Sequence, residues 1–114
     1  MNVTVCDGAQ DELRALPINE RMAMFKAFEK LEIFGDTLAS PHSSSVRGVQ
    51  VTLRELRPRG GRSPWRAIYR RIGAEMVIGA IGPEAMVSAS GFRRSVSLAI
   101  SRLRLYEMEN TDHE

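Results

Sequence analysis

Cysteine, histidine and lysine are scarce in this chain of 114 residues, which contains one, two and two of them respectively. The lone Cys6 cannot form an internal disulfide, which is typical of a reducing compartment, and we interpret it as a small core residue. His42 and His113 have no metal-ligand spacing around them, so we expect no metal site. No apolar run reaches the length of about eighteen residues that a membrane helix needs, and no export signal begins the chain. We therefore expect a cytoplasmic protein.

The basic residues are segregated along the chain, and arginine accounts for 14 of the 16. Residues 1–45 carry 4 basic and 7 acidic groups, residues 46–106 carry 12 and 3, and residues 107–114 carry four acids. The formal net charge of +2 therefore conceals a strongly basic middle. The preference for arginine over lysine fits either phosphate contact or a GC-rich genome, but base composition does not explain the clustering.

The basic residues concentrate in residues 53–72, which hold one tryptophan, one tyrosine and seven arginines: Arg54, Arg57, Arg59, Arg62, Arg66, Arg70 and Arg71. Two strand-like segments, LRELR and WRAIYRRI, are joined there by a basic loop rich in glycine and proline. A hairpin of this kind would present guanidinium groups, whose planar forks match phosphate oxygens in pairs and stack on bases. Because few acids are near in sequence, we expect these charges to be largely unneutralised.

The first half of the chain is predicted to be helical. Residues 7–16 form one candidate helix that Pro17 ends, and residues 19–34 form a second that stops at Gly35. Met24, Phe28 and Leu31 recur on the second helix at the spacing of a buried face. Residues 36–46, which are polar and rich in serine, are interpreted as a connection to the sheet.

Three strands are predicted to follow. Val49, Val51 and Leu53 alternate as in a half-buried strand, and Leu56 is out of phase with them, which a bulge near residues 54–55 would explain. The second strand covers residues 65–72. The third, residues 76–81, is an unbroken apolar run typical of a central strand covered on both faces.

Ser90 is the expected N-cap of a last helix, whose inward stripe is Phe92, Val96, Ala99, Ile100 and Leu103. The predicted fold is therefore α+β, with two N-terminal helices, a three- to four-stranded antiparallel meander and a C-terminal helix. We expect one domain over residues 1–106 and an acidic tail over residues 107–114. The length suits a single core.

This pattern resembles the RelE/HigB-like toxins of type II toxin–antitoxin systems, within the RelE/ParE superfamily and of its phage-derived type. The resemblance runs over residues 11–106. It rests on Gly35 and Pro41 after a helical pair, RG at 47–48, LRELR at 53–57, RAIY at 66–69 and AxxRL at 99–103. The order and spacing of these short motifs carry the resemblance, since each motif is weak alone.

The resemblance implies a RelE-like fold and a ribosome-dependent mRNA endonuclease that inhibits translation by promoting attack of a ribose 2′-hydroxyl on the adjacent phosphate. Arg54 and Arg57 match basic positions of the family's second strand and Arg66 opens its R-x-x-Y strand, so these three are the predicted catalytic residues. The predicted RNA contacts are Arg59, Arg62, Trp65, Arg70, Arg93 and Arg94. The implied partners are a cognate antitoxin, the ribosome and mRNA, without a cofactor, metal or membrane.

Two departures from the pattern concern cleavage. Pro83-Glu84-Ala85 stands where RNA-cleaving relatives carry a basic turn, and Phe92 stands where several carry a tyrosine. A phenylalanine cannot share a proton. The alternative is a RelE/ParE-like toxin, or a phage-derived regulatory module, that acts on a protein target without cutting RNA.

Overall fold

The computed structural model describes residues 1–111 and confirms the α+β class. Its strands and helices follow in the order β1 (Asn2–Val5), α1 (Asp7–Ala15), α2 (Ile18–Phe34), β2 (Ser43–Ser45), β3 (Arg54–Leu56), β4 (Trp65–Ile72), β5 (Glu75–Pro83) and α3 (Ala89–Thr111). Short 3-10 turns cover Gly35–Thr37 and Pro58–Gly61. No helix in the described range is both long and apolar enough to cross a membrane.

The sheet has five strands in the order β1-β5-β4-β3-β2. Strands β2 to β5 are antiparallel to their neighbours, whereas β1 pairs in parallel with β5, Val3 lying opposite Met76. The sheet is thus larger than expected and mixed. The four residues of β1 are too few for a periodic signal, and their partner strand lies more than seventy residues away in sequence.

Helices cover both faces of the sheet. Tyr69 and Ala67 of β4 face the cluster that contains α1 and α2, whereas Ile68 faces the cluster beneath α3. Strand β5 is buried from Met76 to Gly82, which confirms the predicted central strand. We refer to the two sides as the α2 face and the α3 face.

Strand β3 is shorter than expected. The expected bulge does not explain why Leu56 is out of phase with Leu53. Leu53 packs on the α3 face and Leu56 on the α2 face, so no bulge is needed to bury both. The pairing of β3 with β4 is regular, and the register shift in the sheet lies instead between β4 and β5, at Ile68 and Tyr69.

Residues 49–53 are not in a strand. Gly48, at a φ of +80°, turns the chain ahead of them in a conformation that favours glycine. Val49 and Val51 then pack, partly buried, against the α3-face cluster from an irregular segment. Val49 and Val51 therefore alternate because both are partly buried, although neither pairs with a neighbouring strand.

The open edge of β5 beyond β1 is covered by two side chains. The carboxylate of Glu12 on α1 accepts a hydrogen bond from the Ile81 amide at 3.0 Å, and Arg102 on α3 donates to the Gly79 carbonyl at 3.1 Å. The two side chains also pair with each other at 2.9 Å. They satisfy ladder groups that a longer β1 would have paired.

Helix α3 begins at Ala89, and its N-cap lies two residues before the expected one. Ser88 Oγ accepts a hydrogen bond from the Gly91 amide at 3.0 Å, so Ser88, and not Ser90, is the N-cap. The predicted inward stripe is confirmed, with Val96, Ala99 and Leu103 buried. The helix continues to Thr111, so residues 107–111 of the expected acidic tail are helical, while residues 112–114, including His113, lie outside the described residues.

Candidate nucleic-acid interface

Arg66, a predicted catalytic residue, is buried, and its side chain is only 2% exposed. All five of its N–H donors are engaged. They reach Glu55 Oε1 at 3.3 Å, Glu84 Oε2 at 2.6 Å, and the carbonyls of Ser63, Trp65 and Gly61 at 2.7, 2.9 and 3.4 Å. Burial lowers the pKa of Arg66, and Arg57 adds to that lowering, while Glu84 and Glu55 oppose it. In this arrangement Arg66 has no donor left for a phosphate and instead fixes the β3–β4 loop.

Arg57 lies beside Arg66 and shares its counter-ion, since Arg57 Nη1 donates to the same Glu55 oxygen at 3.0 Å. The side chain of Arg57 is 32% exposed, and this is its one hydrogen bond within the described residues. Its guanidinium packs over Gly61, where an added Cβ would lie 2.9 Å from Nη2. Arg57 is therefore held in place, and the other N–H groups of its guanidinium make no hydrogen bond within the described residues.

Arg59 ties the β3–β4 loop to the start of α2. Its guanidinium pairs with Glu20 at 2.7 Å and donates to the Asn19 carbonyl at 3.2 Å. The backbone of Arg59 has a φ of +55°, in the left-handed region that is unfavourable for a side-chain-bearing residue. Hydrogen bonds from Arg59 and Ser63 hold the pKa of Glu20 below its ordinary value.

The expectation that few acids neutralise the arginines is wrong. Five of the seven pair with carboxylates, and four of those acids come from outside residues 53–72: Glu20, Asp36, Glu84 and Glu107. Arg70 and Arg71 point to opposite faces, as adjacent strand residues must, because Arg70 pairs with Glu107 of α3 and Arg71 with Asp36 after α2.

The other predicted site residues are dispersed. Arg54 lies on the α2 face and donates to Ser43 Oγ and Ser45 Oγ at 2.9 and 3.1 Å. Trp65 packs, partly buried, against the α2-face cluster, which fits a packing residue. Arg62 is exposed on the loop, and Arg93 and Arg94 are exposed on the first turns of α3.

A cleft of about 520 Å³ opens between α2 and the β3–β4 loop. We call it the cationic cleft. Its charged rim consists of Lys26 and Lys30 on α2 and Arg57 and Arg59 on the loop, and among the described residues that line it there is no carboxylate. The others are Asn19, Met22, Ala23, Ala27, Leu38, His42 and Leu56.

The two lysines of the rim are the only lysines in the chain, four residues apart on α2. Both are exposed, and neither pairs with a carboxylate within the described residues. His42 also lines the cleft, with Nδ1 3.5 Å from Lys30 Nζ. These three residues were not among the predicted site residues, because helical spacing indicates apolar faces and His42 has no metal-ligand spacing around it. The i, i+4 lysine pair was the available signal.

The two departures from the toxin pattern have structural counterparts. Glu84 lies on the segment after β5, where its carboxylate pairs with Arg66 and its amide donates to the Pro64 carbonyl at 2.9 Å. Phe92 is partly buried and packs against the α3-face cluster. Glu84 thus adds a negative charge beside the buried arginine, and Phe92 serves packing.

The chain matches a family model over residues 11–78, which span α1 to the middle of β5 and include the whole cationic cleft. The family is described as phage-derived protein Gp49-like (DUF891). The chain belongs to this family. Gp49-like proteins are RelE/ParE-like toxins, and the family therefore implies a cognate antitoxin as partner. A search of curated proteins finds no match for the chain.

Proposed function

We propose that this Gp49-like protein is the toxin of a toxin–antitoxin module and that it cleaves mRNA on the ribosome, as RelE and HigB toxins do. The proposal rests chiefly on the cationic cleft, since a concave surface that is rimmed by four cations and has no carboxylate among its described lining residues attracts a polyanion. Ribosome and mRNA are then its working partners, which makes the cytoplasm its place of action.

The rim divides into two kinds of cation. Lys26 and Lys30 carry charge that no acid in the described residues offsets, whereas Arg57 and Arg59 are each oriented by one carboxylate. Phosphate cleavage needs such fixed positive groups, because negative charge builds on the phosphoryl oxygens in the transition state. We assign phosphate contact to Lys26, Lys30, Arg57 and Arg59.

The remaining predicted site residues receive supporting roles in this proposal. Arg66 positions Arg57 and the loop through Glu55 and three carbonyls. Arg54, Arg62, Arg93 and Arg94, which have no carboxylate partner in the described range, supply weaker contacts to the RNA backbone outside the cleft. Such contacts add affinity that falls with salt.

The test is primer extension on an mRNA translated by purified bacterial ribosomes, with the wild-type protein and a Lys26→Ala/Lys30→Ala double variant. We expect the wild type to cut the message only when ribosomes are present. The double variant should cut at least about a hundred-fold more slowly, since loss of one preorganised charge contact costs on the order of 10²–10³ in rate. Arg104→Ala is the matched control, because Arg104 is an exposed cation on α3. An intact message with wild-type protein would refute the proposal.

A second candidate is a toxin that binds its target without cutting RNA. It is favoured by the ion pair of Glu84 with Arg66 at 2.6 Å, which neutralises an arginine of the toxin pattern. Growth arrest with intact mRNA, both with and without ribosomes, would select this candidate.

A further inference from the structure

We propose that His42 is the general base of the cleavage reaction and that its Nδ1 atom takes the proton from the attacking 2′-hydroxyl. This inference rests on the proposed RNA cleavage and names the residue that performs the proton transfer. The charged rim groups of the cationic cleft are all lysine or arginine. Arginine stays protonated and lysine is protonated near neutral pH, so neither is a ready proton acceptor there.

His42 is the one lining residue among those described that carries an imidazole, the side chain used most often as a general base. The charged groups that line the same cleft are Lys30 and Lys26 from α2 and Arg57 and Arg59 from the loop. All four side chains are hydrogen-bond donors and carry no ready proton acceptor. A proton accepted in this cleft therefore goes to His42.

The backbone holds His42 firmly between the two walls. Its amide donates to the Ala39 carbonyl at 2.9 Å, and its carbonyl accepts from the Arg57 amide at 2.8 Å. The next residue, Ser43, is buried, and its hydroxyl forms a hydrogen bond of 2.6 Å with the hydroxyl of Tyr69. A general base needs such a fixed position, because proton transfer requires hydrogen-bond distance in the reactive geometry.

The contact with Lys30 assigns the tautomer. A protonated lysine can only donate, so the atom that faces Lys30 Nζ at 3.5 Å, Nδ1 of His42, carries the lone pair. The ring proton is then on Nε2. At 3.5 Å this hydrogen bond is long, and a phosphate drawn to Lys30 would leave Nδ1 open to a ribose hydroxyl.

The 2′-oxygen forms a bond to the adjacent phosphorus while its proton passes to His42 Nδ1. The bond from phosphorus to the 5′-oxygen breaks, and the departing oxygen takes a proton from water. Lys30 and Arg57 neutralise the non-bridging oxygens. The products are a 2′,3′-cyclic phosphate and a 5′-hydroxyl, and His42 returns its proton to solvent.

The experiment compares wild-type protein with His42→Asn in single-turnover cleavage of mRNA on purified bacterial ribosomes. Asparagine can keep an oxygen acceptor opposite Lys30 but cannot take a proton near neutral pH. We expect the rate to fall by about 10²–10⁴-fold with little change in affinity for the programmed ribosome.

A second substrate distinguishes the loss of a general base from the loss of a general acid. An mRNA with sulfur in place of the 5′-bridging oxygen needs no proton on its leaving group, so it rescues loss of an acid but not loss of a base. We expect His42→Asn to remain slow on it. Rescue, or a wild-type rate for His42→Asn, would overturn the inference while leaving RNA cleavage intact. Absence of cleavage by the wild type would overturn both.

Discussion

The guanidinium of Arg66 lies 2.6 Å from the carboxylate of Glu84, and the side chain of Arg66 is almost wholly buried. The pair joins β4 to the segment that follows β5, next to the loop that carries Arg57 and Arg59. A buried arginine needs full compensation, since an unpaired charge in the interior is costly. Here the compensation comes from two acids and three carbonyls, and the arginine in turn holds the loop that forms one wall of the cationic cleft.

Replacement of Arg66 is therefore expected to affect folding before it affects chemistry. Arg66→Ala should lower the free energy of unfolding by roughly 3–5 kcal/mol, because it leaves Glu84 and three backbone carbonyls without their donor. Arg66→Lys should recover little of this, since a lysine cannot form the five-donor fork. Urea denaturation followed by circular dichroism measures both variants. If Arg66→Ala unfolded at the same urea concentration as the wild type, the structural role would be wrong and Arg66 would again be assigned as an RNA contact.

The N-cap of α3 gives a matched pair of substitutions. Ser88→Ala removes the side-chain acceptor of the Gly91 amide and should cost about 1 kcal/mol of stability. Ser90→Ala, at an exposed position inside the first turn, should be nearly neutral. Thermal unfolding of both variants tests the assignment, and a larger loss for Ser90→Ala would contradict it.

The hydroxyl of Tyr106 donates to Glu75 at 2.6 Å and anchors the end of α3 to β5. This bond, with one from Thr4, lowers the pKa of Glu75 below its ordinary 4.5, and the same contact raises the pKa of Tyr106 above its ordinary 10.0. The depressed pKa gives stability that is present above pH 4.5 and lost as pH falls through the folded pKa of Glu75. The raised pKa gives stability that is present below pH 10.0 and lost as pH rises through the folded pKa of Tyr106.

Tyr106→Phe should therefore cost about 1 kcal/mol near neutral pH, and this deficit should shrink toward both acid and alkaline pH. Urea midpoints recorded from acid to alkaline pH give the difference directly. A deficit that does not vary with pH would indicate lost packing of the ring and not a lost hydrogen bond.

Local patterns were sufficient to predict α1, α2, β4, β5 and α3, because each of these elements carries enough apolar residues to display its period. They were insufficient for β1, whose four residues are stabilised by a strand distant in sequence. The phase of Leu53 and Leu56 was misread for a related reason. An apolar residue on either side of a strand can be buried when helices cover both faces, so alternation no longer identifies a single inward face.

The candidate site was predictable only in part. The arginine cluster is visible in the sequence, but its counter-ions are not, since Glu20 and Glu84 reach Arg59 and Arg66 only in the folded chain. The cleft itself combines residues from α2, the segment before β2 and the β3–β4 loop. A search for clustered charge finds the loop and overlooks an isolated pair such as Lys26 and Lys30.

The ion pair of Glu20 with Arg59 places a carboxylate beside a rim cation of the cleft. RNA must compete with Glu20 for Arg59. Glu20→Gln should therefore tighten binding of a single-stranded RNA oligonucleotide, by roughly two- to five-fold at low salt, the scale of one exposed ion pair. Arg59→Ala should weaken binding by a similar factor.

The salt dependence distinguishes a specific release of Arg59 from a general loss of negative charge. Each phosphate contact adds about 0.7 to the slope of log affinity against log salt for single strands, so Glu20→Gln should steepen the slope and Arg59→Ala should flatten it. Glu29→Gln is the matched control, since Glu29 is exposed on the same helix and lines a different cavity. Equal slopes for Glu20→Gln and Glu29→Gln would show that Arg59 does not contact RNA, and the rim of the cleft would then be reduced to Lys26, Lys30 and Arg57.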